Sequence, residues 1–247
     1  MDSSNYKFVD LFGGEKGGVG KTLVAKVAIQ CLIDRDYEFI AVEADRSNPD
    51  VSNVYRKYCK HAFFTENEKE AGRADRIFEF ATRRSVIVNL PSQVQKALKA
   101  WFDNNNLFDL GEQHGVAFRK WFVTNGEYHS IKLFLKSLDD YGEKMPHILV
   151  RNFGVCDEWE QVEKDEKVQA AINKYNVQTI DFPKLGYAER YFINKNQLTF
   201  GDAREHHDLT IMGRQRVVNF LNSAYAAFDS TGAWQEPNDK GDLCESA

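Results

Sequence analysis

Gly13-Gly14-Glu15-Lys16-Gly17-Gly18-Val19-Gly20-Lys21-Thr22 lies between an apolar run, Phe8 to Phe12, and an amphipathic pattern from Leu23 to Ile33. The first flank reads as a short buried strand and the second as a helix. Glycines at such a junction let backbone N–H groups turn inward around a phosphate chain, at a helix N-terminus that already favours anions. Gly17, Gly18, Val19 and Gly20 would supply that backbone, Lys21 would contact the β- and γ-phosphates, and the Thr22 hydroxyl would hold Mg²⁺. Strand, G-x-G-K-T and helix in succession predict a P-loop and, with it, an α/β fold.

The rest of the chain continues the alternation. Further strands are expected at Phe39 to Val42, Ala62 to Thr65, Val86 to Leu90, Ala117 to Thr124, His147 to Arg151 and Val177 to Asp181. Helical patterns cover Asp50 to Tyr58, Ala71 to Arg83, Ser92 to Asn104, Ile131 to Tyr141, Asp157 to Tyr175 and Leu209 to Phe228. Regular strand–helix alternation predicts a mostly parallel, doubly wound sheet with helices on both faces. Residues 1–229 are expected to form one ATPase domain, and the Gly/Asp/Glu-rich segment 230–247 a disordered acidic tail. Trp101, Trp121 and Trp159 fall on periodic apolar positions and read as core.

Composition narrows the class. Over 247 residues, hydrophobic residues make up 43% and charged residues 28%, ordinary for a globular chain with a real core. A net charge of −5 argues against a surface that is basic throughout. Cys31, Cys59, Cys156 and Cys244 form no C-x-x-C pair, so neither a zinc site nor a disulfide framework is indicated. The N-terminus has no basic segment before its apolar stretch, and no apolar run approaches the ~18 residues of a membrane span. The expectation is a soluble, cytoplasmic protein with reduced thiols.

Glu15 stands where the strict pattern G-x-x-x-x-G-K-[ST] wants glycine, and the loop carries two lysines, Lys16 and Lys21, five apart. K-G-G-x-G-K-T resembles the deviant Walker A motif of the ParA/MinD family of ATPases. The resemblance implies that Lys16 reaches across a dimer interface to the partner's nucleotide, coupling ATP binding to dimerisation. The plainer reading of Lys16 is a solvated lysine that adds positive potential near phosphates.

Ligands of open α/β sheets bind outside the carboxyl ends of the strands. After the second strand comes Glu43-Ala44-Asp45-Arg46-Ser47-Asn48-Pro49-Asp50. Relatives of ParA carry D-x-D-P here, which implies that Asp45 orients the attacking water and helps the Mg²⁺ site; Glu43 departs from the first Asp. The alternative is a polar turn, with Asp50 as a helix cap. At Val88-Asn89-Leu90-Pro91-Ser92 the family has an Asp at the Asn89 position, which binds a metal-bound water. Asn89 can accept a hydrogen bond but brings no charge, so slow hydrolysis is implied. Asn152 ends a later strand where similar ATPases read the adenine edge, and Pro183 stands where the family packs a proline on the base. Asn after a strand is also ordinary turn chemistry. Lys16, Lys21 and Asp45 are thus the catalytic candidates, Thr22 and Asp45 the metal candidates, and ATP/ADP with Mg²⁺ the cofactors.

The resemblance also implies partners: an ATP-dependent homodimer, an adaptor or a partition or transfer protein, and nonspecific DNA. Lys184, Arg190, Lys195, Arg204, His206, His207, Arg214 and Arg216 could hold phosphates if they shared a face, which would add nucleoid association. Glu189, Asp202, Glu205 and Asp208 are interleaved and argue against it. The acidic C-terminus is unlike a basic amphipathic membrane anchor, so membrane binding is not expected. Three function classes remain: a positioning or conjugative-transfer switch, an ATP-dependent metabolic synthetase, and a nucleotide-binding module with little turnover.

Overall fold

The first strand and the first helix set the frame for everything else. In the computed structural model, which describes residues 6–65 and 67–234, β1 spans Lys7–Gly13 and α1 spans Lys21–Asp34. α1 is buried almost all round from Val24 to Leu32 and so runs beneath a second layer of helices. β2 (Phe39–Glu43), β3 (Cys59–His61), β4 (Ser85–Asn89), β5 (Val116–Thr124), β6 (His147–Asn152) and β7 (Gln178–Phe182) complete a seven-stranded sheet of order β3-β2-β4-β1-β5-β6-β7. Every pairing is parallel. Chain order reverses on the two sides of β1, which places a crevice at its carboxyl end, directly at the glycine-rich loop.

Helices cover both faces, as expected for α/β architecture. α2 is Asp50–Val54, α3 Asp75–Ala81, α4 Gln95–Asn104, α5 Leu107–His114, α6 Tyr128–Tyr141, α7 Glu160–Lys164 and α8 Glu166–Lys174. α9 (Tyr187–Lys195), α10 (Phe200–Glu205) and α11 (Ile211–Asp229) complete the set. One core joins Phe12, Ala41, Ile87, Trp121 and Val150 to α1 and α11; two others lie on the opposite face, under α3–α5 and under α6–α8. Trp101, Trp121 and Trp159 are all buried.

Several expected elements are relocated. The third strand is Cys59–His61; residues 62–65 have no regular structure, and the aromatic pair Phe63–Phe64 had suggested a strand there. The helix expected from 157 to 175 is two helices, because Asp165 adopts an extended backbone and its Oδ1 accepts from Lys167 N and Val168 N, capping α8. α5, α9 and α10 are additional short helices.

The domain also extends past 229. Trp234 is 7% exposed, stacks on Trp121 with ring centroids 5.0 Å apart and donates from Nε1 to Asp10 Oδ2 at 2.9 Å. Asp10 in turn accepts from Arg119 Nε at 2.6 Å and from Trp121 Nε1 at 2.7 Å. This buried carboxylate therefore holds β1, β5 and the segment after α11 together. The remainder of the expected tail, residues 235–247 with Cys244, lies outside the described residues.

Candidate functional site: the loop at the carboxyl end of β1

The backbone of the loop is built around two glycines that no other residue could replace. A Cβ on Gly14 would stand 2.3 Å from Val123 O. Gly20, at φ 94, is the left-handed residue before α1, and its Cβ would meet Asn152 Nδ2 at 2.2 Å. The chain can thus turn from β1 into α1 while lying against β5 and β6, which leaves the N-terminus of a 14-residue helix facing the crevice. Thr22 lies half-buried in the first turn of that helix.

Lys21 is 7% exposed and folds back over the loop, its Nζ donating to Ser92 Oγ at 2.8 Å and to Lys16 O at 3.3 Å. Burial lowers its pKa, opposed by the charges of Asp45 and Glu15. An ammonium held by neutral oxygens in a desolvated position gains strongly from a phosphate oxygen. Lys16 behaves differently: its Nζ pairs with Glu127 Oε2 just before α6, at the surface. Asn125 Nδ2 donates to the other oxygen of Glu127 at 2.9 Å. A pair with 32% and 58% of its side chains exposed contributes about 0–1 kcal/mol and is readily exchanged for a stronger anion.

Glu15, the departure from the strict pattern, has a structural partner. Its Oε2 accepts from Gln95 N, the first residue of α4, at 3.1 Å, and its carbonyl accepts from Gln93 N at 3.3 Å. With the Lys21–Ser92 bond, this ties the β4–α4 turn to the glycine-rich loop at three points. Behind Glu15 lies Lys120, fully buried in β5, whose Nζ donates to Gln95 Oε1 at 2.8 Å. Burial lowers the pKa of Lys120 to about 8, against the attraction of Glu15 and Asp140. Sequence reading singled out none of Glu15's partners; the one visible signal was a carboxylate where glycine is usual.

The strand tips bring the expected acids to the same edge. Asp45 is half-buried; its Oδ1 accepts from Ser47 N at 3.0 Å, Ser47 Oγ at 2.8 Å and Asn48 N at 3.1 Å. It therefore organises its own turn with one oxygen, and its charge acts on Lys21. Asp50 does not cap α2: Pro49 holds that position, and Asp50 Oδ2 pairs with Lys26 at 3.4 Å. Glu43 and Asn89 are register partners at the ends of β2 and β4. Glu43 is 0% exposed, and burial raises its pKa against hydrogen bonds from Asn89, Asp45 N and Val51 N.

Asn152 is buried beneath the loop. Its Nδ2 donates to Val19 O at 2.8 Å and its Oδ1 accepts from Gly154 N at 2.9 Å, so its amide holds loop backbone. Pro183 follows β7 next to it, and Asn152 is the register partner of Phe182. The basic stretch is partly consumed internally: Arg204 grips Asp34 at 2.5 Å, Arg216 holds buried Glu189 at 2.9 Å, and His207 lies 3.2 Å from Asp208. Lys184 and Lys195 remain exposed. Among the described residues, no helix is long and apolar enough to cross a membrane.

No protein-family model matches the chain. It is similar over 221 residues to protein MobD of Acidithiobacillus ferrooxidans, at 26% identity, covering 88% of this chain and 95% of the relative. Among solved structures, it is similar to the MinC:MinD cell division protein complex of Aquifex aeolicus, at 14% identity over 93% of this chain and 97% of that one, with a TM-score of 0.49. The septum site-determining protein MinD complexed with Mg-ADP, from Pyrococcus horikoshii, gives 15% identity over 92% and 98% with a TM-score of 0.46. An McdA–ATP complex from Cyanothece gives 11% identity over 94% and 98% with a TM-score of 0.45.

Proposed function

We propose that this chain is an ATP-binding, slowly hydrolysing P-loop ATPase that dimerises around ATP and acts as a switch in positioning or conjugative transfer of a cargo. The observation that carries the reading is Lys21: a desolvated ammonium, hydrogen-bonded to a hydroxyl and a carbonyl, over a glycine loop at the N-terminus of α1. Its position suits β- and γ-phosphate oxygens, and the N–H groups of residues 17–22 suit the rest of the phosphate chain. The adenine would lie over the tips of β6 and β7, near Asn152 and Pro183.

The donor set fits a hard divalent cation, because Thr22 Oγ1, Asp45 Oδ2 and the buried Asn89 Oδ1, which has no hydrogen-bond partner among the described residues, are all oxygens at one edge of the sheet. Thr22 and Asp45 would hold Mg²⁺, which when bound neutralises charge on the transferred phosphoryl group. Asp45 also orients the attacking water. Ser92, released when Lys21 turns to phosphate, frees the β4–α4 turn to report the nucleotide to a partner docked on that side. A partition or transfer adaptor is the partner class this reading implies, with nonspecific DNA as a further candidate through exposed cations such as Lys184 and Lys195. Asn89, neutral where a carboxylate would speed turnover, keeps the rate low and makes a binding module with little turnover the second reading.

Lys16 separates a switch from a metabolic enzyme. Its weak surface pair with Glu127 leaves it free to reach a partner's nucleotide, so Lys16→Ala should bind ATP as a monomer yet fail to dimerise. Sedimentation velocity with ATP and Mg²⁺ tests this; a variant that dimerises like the wild type removes the cross-interface role.

A further inference from the structure

The short helix that follows β7 has two chemically different faces. On the inner face of α9, Glu189 and Ile193 are buried. The Glu189 carboxylate folds back over the start of its own helix, where a Cβ on Gly186 would stand 2.4 Å from Oε2, and its Oε1 accepts from Arg216 of α11 at 2.9 Å. On the outer face, Tyr187, Arg190, Tyr191 and Lys195 follow the i, i+3, i+4, i+8 spacing of one helical stripe. Tyr187 and Tyr191 are 73% and 57% exposed, and their rings stack with centroids 6.1 Å apart and planes at 25°. Because the one acid of α9 is turned inward, the outer face carries no carboxylate, and Lys184, Arg190 and Lys195 form no ion pair among the described residues.

The tyrosines are not isolated exposed rings. Of the seven large hydrophobic side chains exposed among the described residues, four are Tyr187, Tyr191, Ile211 and Met212. The first turn of α11 lies beside α9, since a Cβ on Gly213 would stand 3.6 Å from Glu189 Oε1. Apolar side chains gathered in this way mark an interaction surface, whereas single exposed ones need no explanation. The chemistry of the stripe selects the partner. Unpaired cations attract the phosphates of any nucleic acid, but a duplex keeps its base faces within its own stack. Only an unpaired strand offers successive base faces to tyrosine, and removing one such aromatic platform weakens binding from about fivefold to over a hundredfold.

We propose that the outer face of α9 binds single-stranded nucleic acid, with bases stacked on Tyr187 and Tyr191 and phosphates held by Lys184, Arg190 and Lys195. Ile211 and Met212 extend the apolar side of the same surface. The proposal rests on the nucleic-acid branch of the function proposed above and takes it from phosphates to bases; it does not need nucleotide in the loop from Gly13 to Thr22.

Fluorescence anisotropy with a labelled oligo(dT) of about 20 nucleotides, beside a duplex of the same length, tests the surface in the full chain, with and without a slowly hydrolysed ATP analogue and Mg²⁺. Wild type should bind the single strand at least about fivefold more tightly than the duplex. Tyr187→Ala and Tyr191→Ala should each weaken single-strand binding about fivefold or more and leave duplex binding within about twofold of wild type. Tyr187→Phe and Tyr191→Phe should keep wild-type affinity, because stacking needs the ring and not the hydroxyl. Lys195→Gln should weaken both complexes and lower the slope of log affinity against log salt by about 0.7 for the single strand. Both tyrosines are exposed, so all variants should melt with wild type, which separates a lost contact from a lost fold. Alanine variants that bind oligo(dT) like wild type overturn the proposal, and so do phenylalanine variants as weak as the alanine ones. Equal binding of single strand and duplex, unmoved by the tyrosine variants, leaves phosphate contacts alone and removes this proposal only; a wild type that binds neither oligonucleotide removes the nucleic-acid branch with it. Tyrosine variants that lose binding to vesicles of phosphatidylglycerol and phosphatidylcholine while keeping oligo(dT) would assign the face to a membrane surface and overturn the proposal.

Discussion

Replacing Lys120 by methionine removes a charge that the fold buries completely behind the phosphate loop. Burial lowers its pKa from 10.5 to about 8. The folded value lies below the unfolded one, so below pH 8 both states are charged and the burial penalty is present in full. As pH rises from 8 to 10.5 the native lysine loses its proton first, and stability is regained. At about 1.4 kcal/mol per pH unit of that interval the penalty is about 3.5 kcal/mol, of which about 2.5 kcal/mol returns between pH 7 and 10. Methionine fills similar volume but leaves Gln95 Oε1 without its donor, a loss of about 1–3 kcal/mol that does not depend on pH. Lys120→Met should therefore be more stable than wild type by about 0.5–2.5 kcal/mol at pH 7. That advantage should fall by about 2.5 kcal/mol by pH 10. Urea unfolding of both proteins at pH 7, 8.5 and 10 reads it directly. The difference between the two curves cancels groups common to both, such as the Cys31 and Cys59 thiols, pushed up to about 12, whose contribution to stability declines above pH 9. Parallel profiles for the two proteins would refute the reasoning.

Trp234→Ala should cost about 3–5 kcal/mol in urea melts, because it removes a buried indole from Trp121 and Phe228 and one donor from Asp10; a change below 1 kcal/mol would place the domain end back near 229. Asp45→Ala should retain ATP binding and the ATP-dependent dimer while stopping phosphate release, at about 1 kcal/mol of stability for the lost turn bonds to Ser47 and Asn48. Phosphate release at the wild-type rate would remove Asp45 from the reaction.

The sheet was legible because its signals are local: apolar runs such as Phe8 to Phe12 and Val86 to Leu90 are short, bounded and separated by helical periods. The glycine loop was legible for the same reason. The short helices α5, α9 and α10 were not, since each buries only a few residues and α5 begins directly after Asn106, a left-handed residue in a polar Asn run that reads as loop. The break at Asp165 is a capping event inside a continuous charged pattern, and propensity alone carries the helix through it. Within the site, the residue types at 16, 21, 43, 45 and 89 could be noted one by one, but their partners could not. Glu127 lies 111 residues from Lys16 and Ser92 lies 71 from Lys21. Asn152 shows the same limit: its sequence position suggests a base contact or a turn, and its amide holds Val19 O from 133 residues away.

The central claim is that the loop from Gly13 to Thr22 binds ATP through Lys21. Isothermal titration of ATP with Mg²⁺ into wild type and Lys21→Ala tests it most directly. The account predicts saturable one-to-one binding by the wild type and at least about tenfold weaker binding by the variant, since charge-assisted bonds to phosphate contribute about 1.5–3 kcal/mol. No binding by the wild type, or equal affinity in the two proteins, would contradict it.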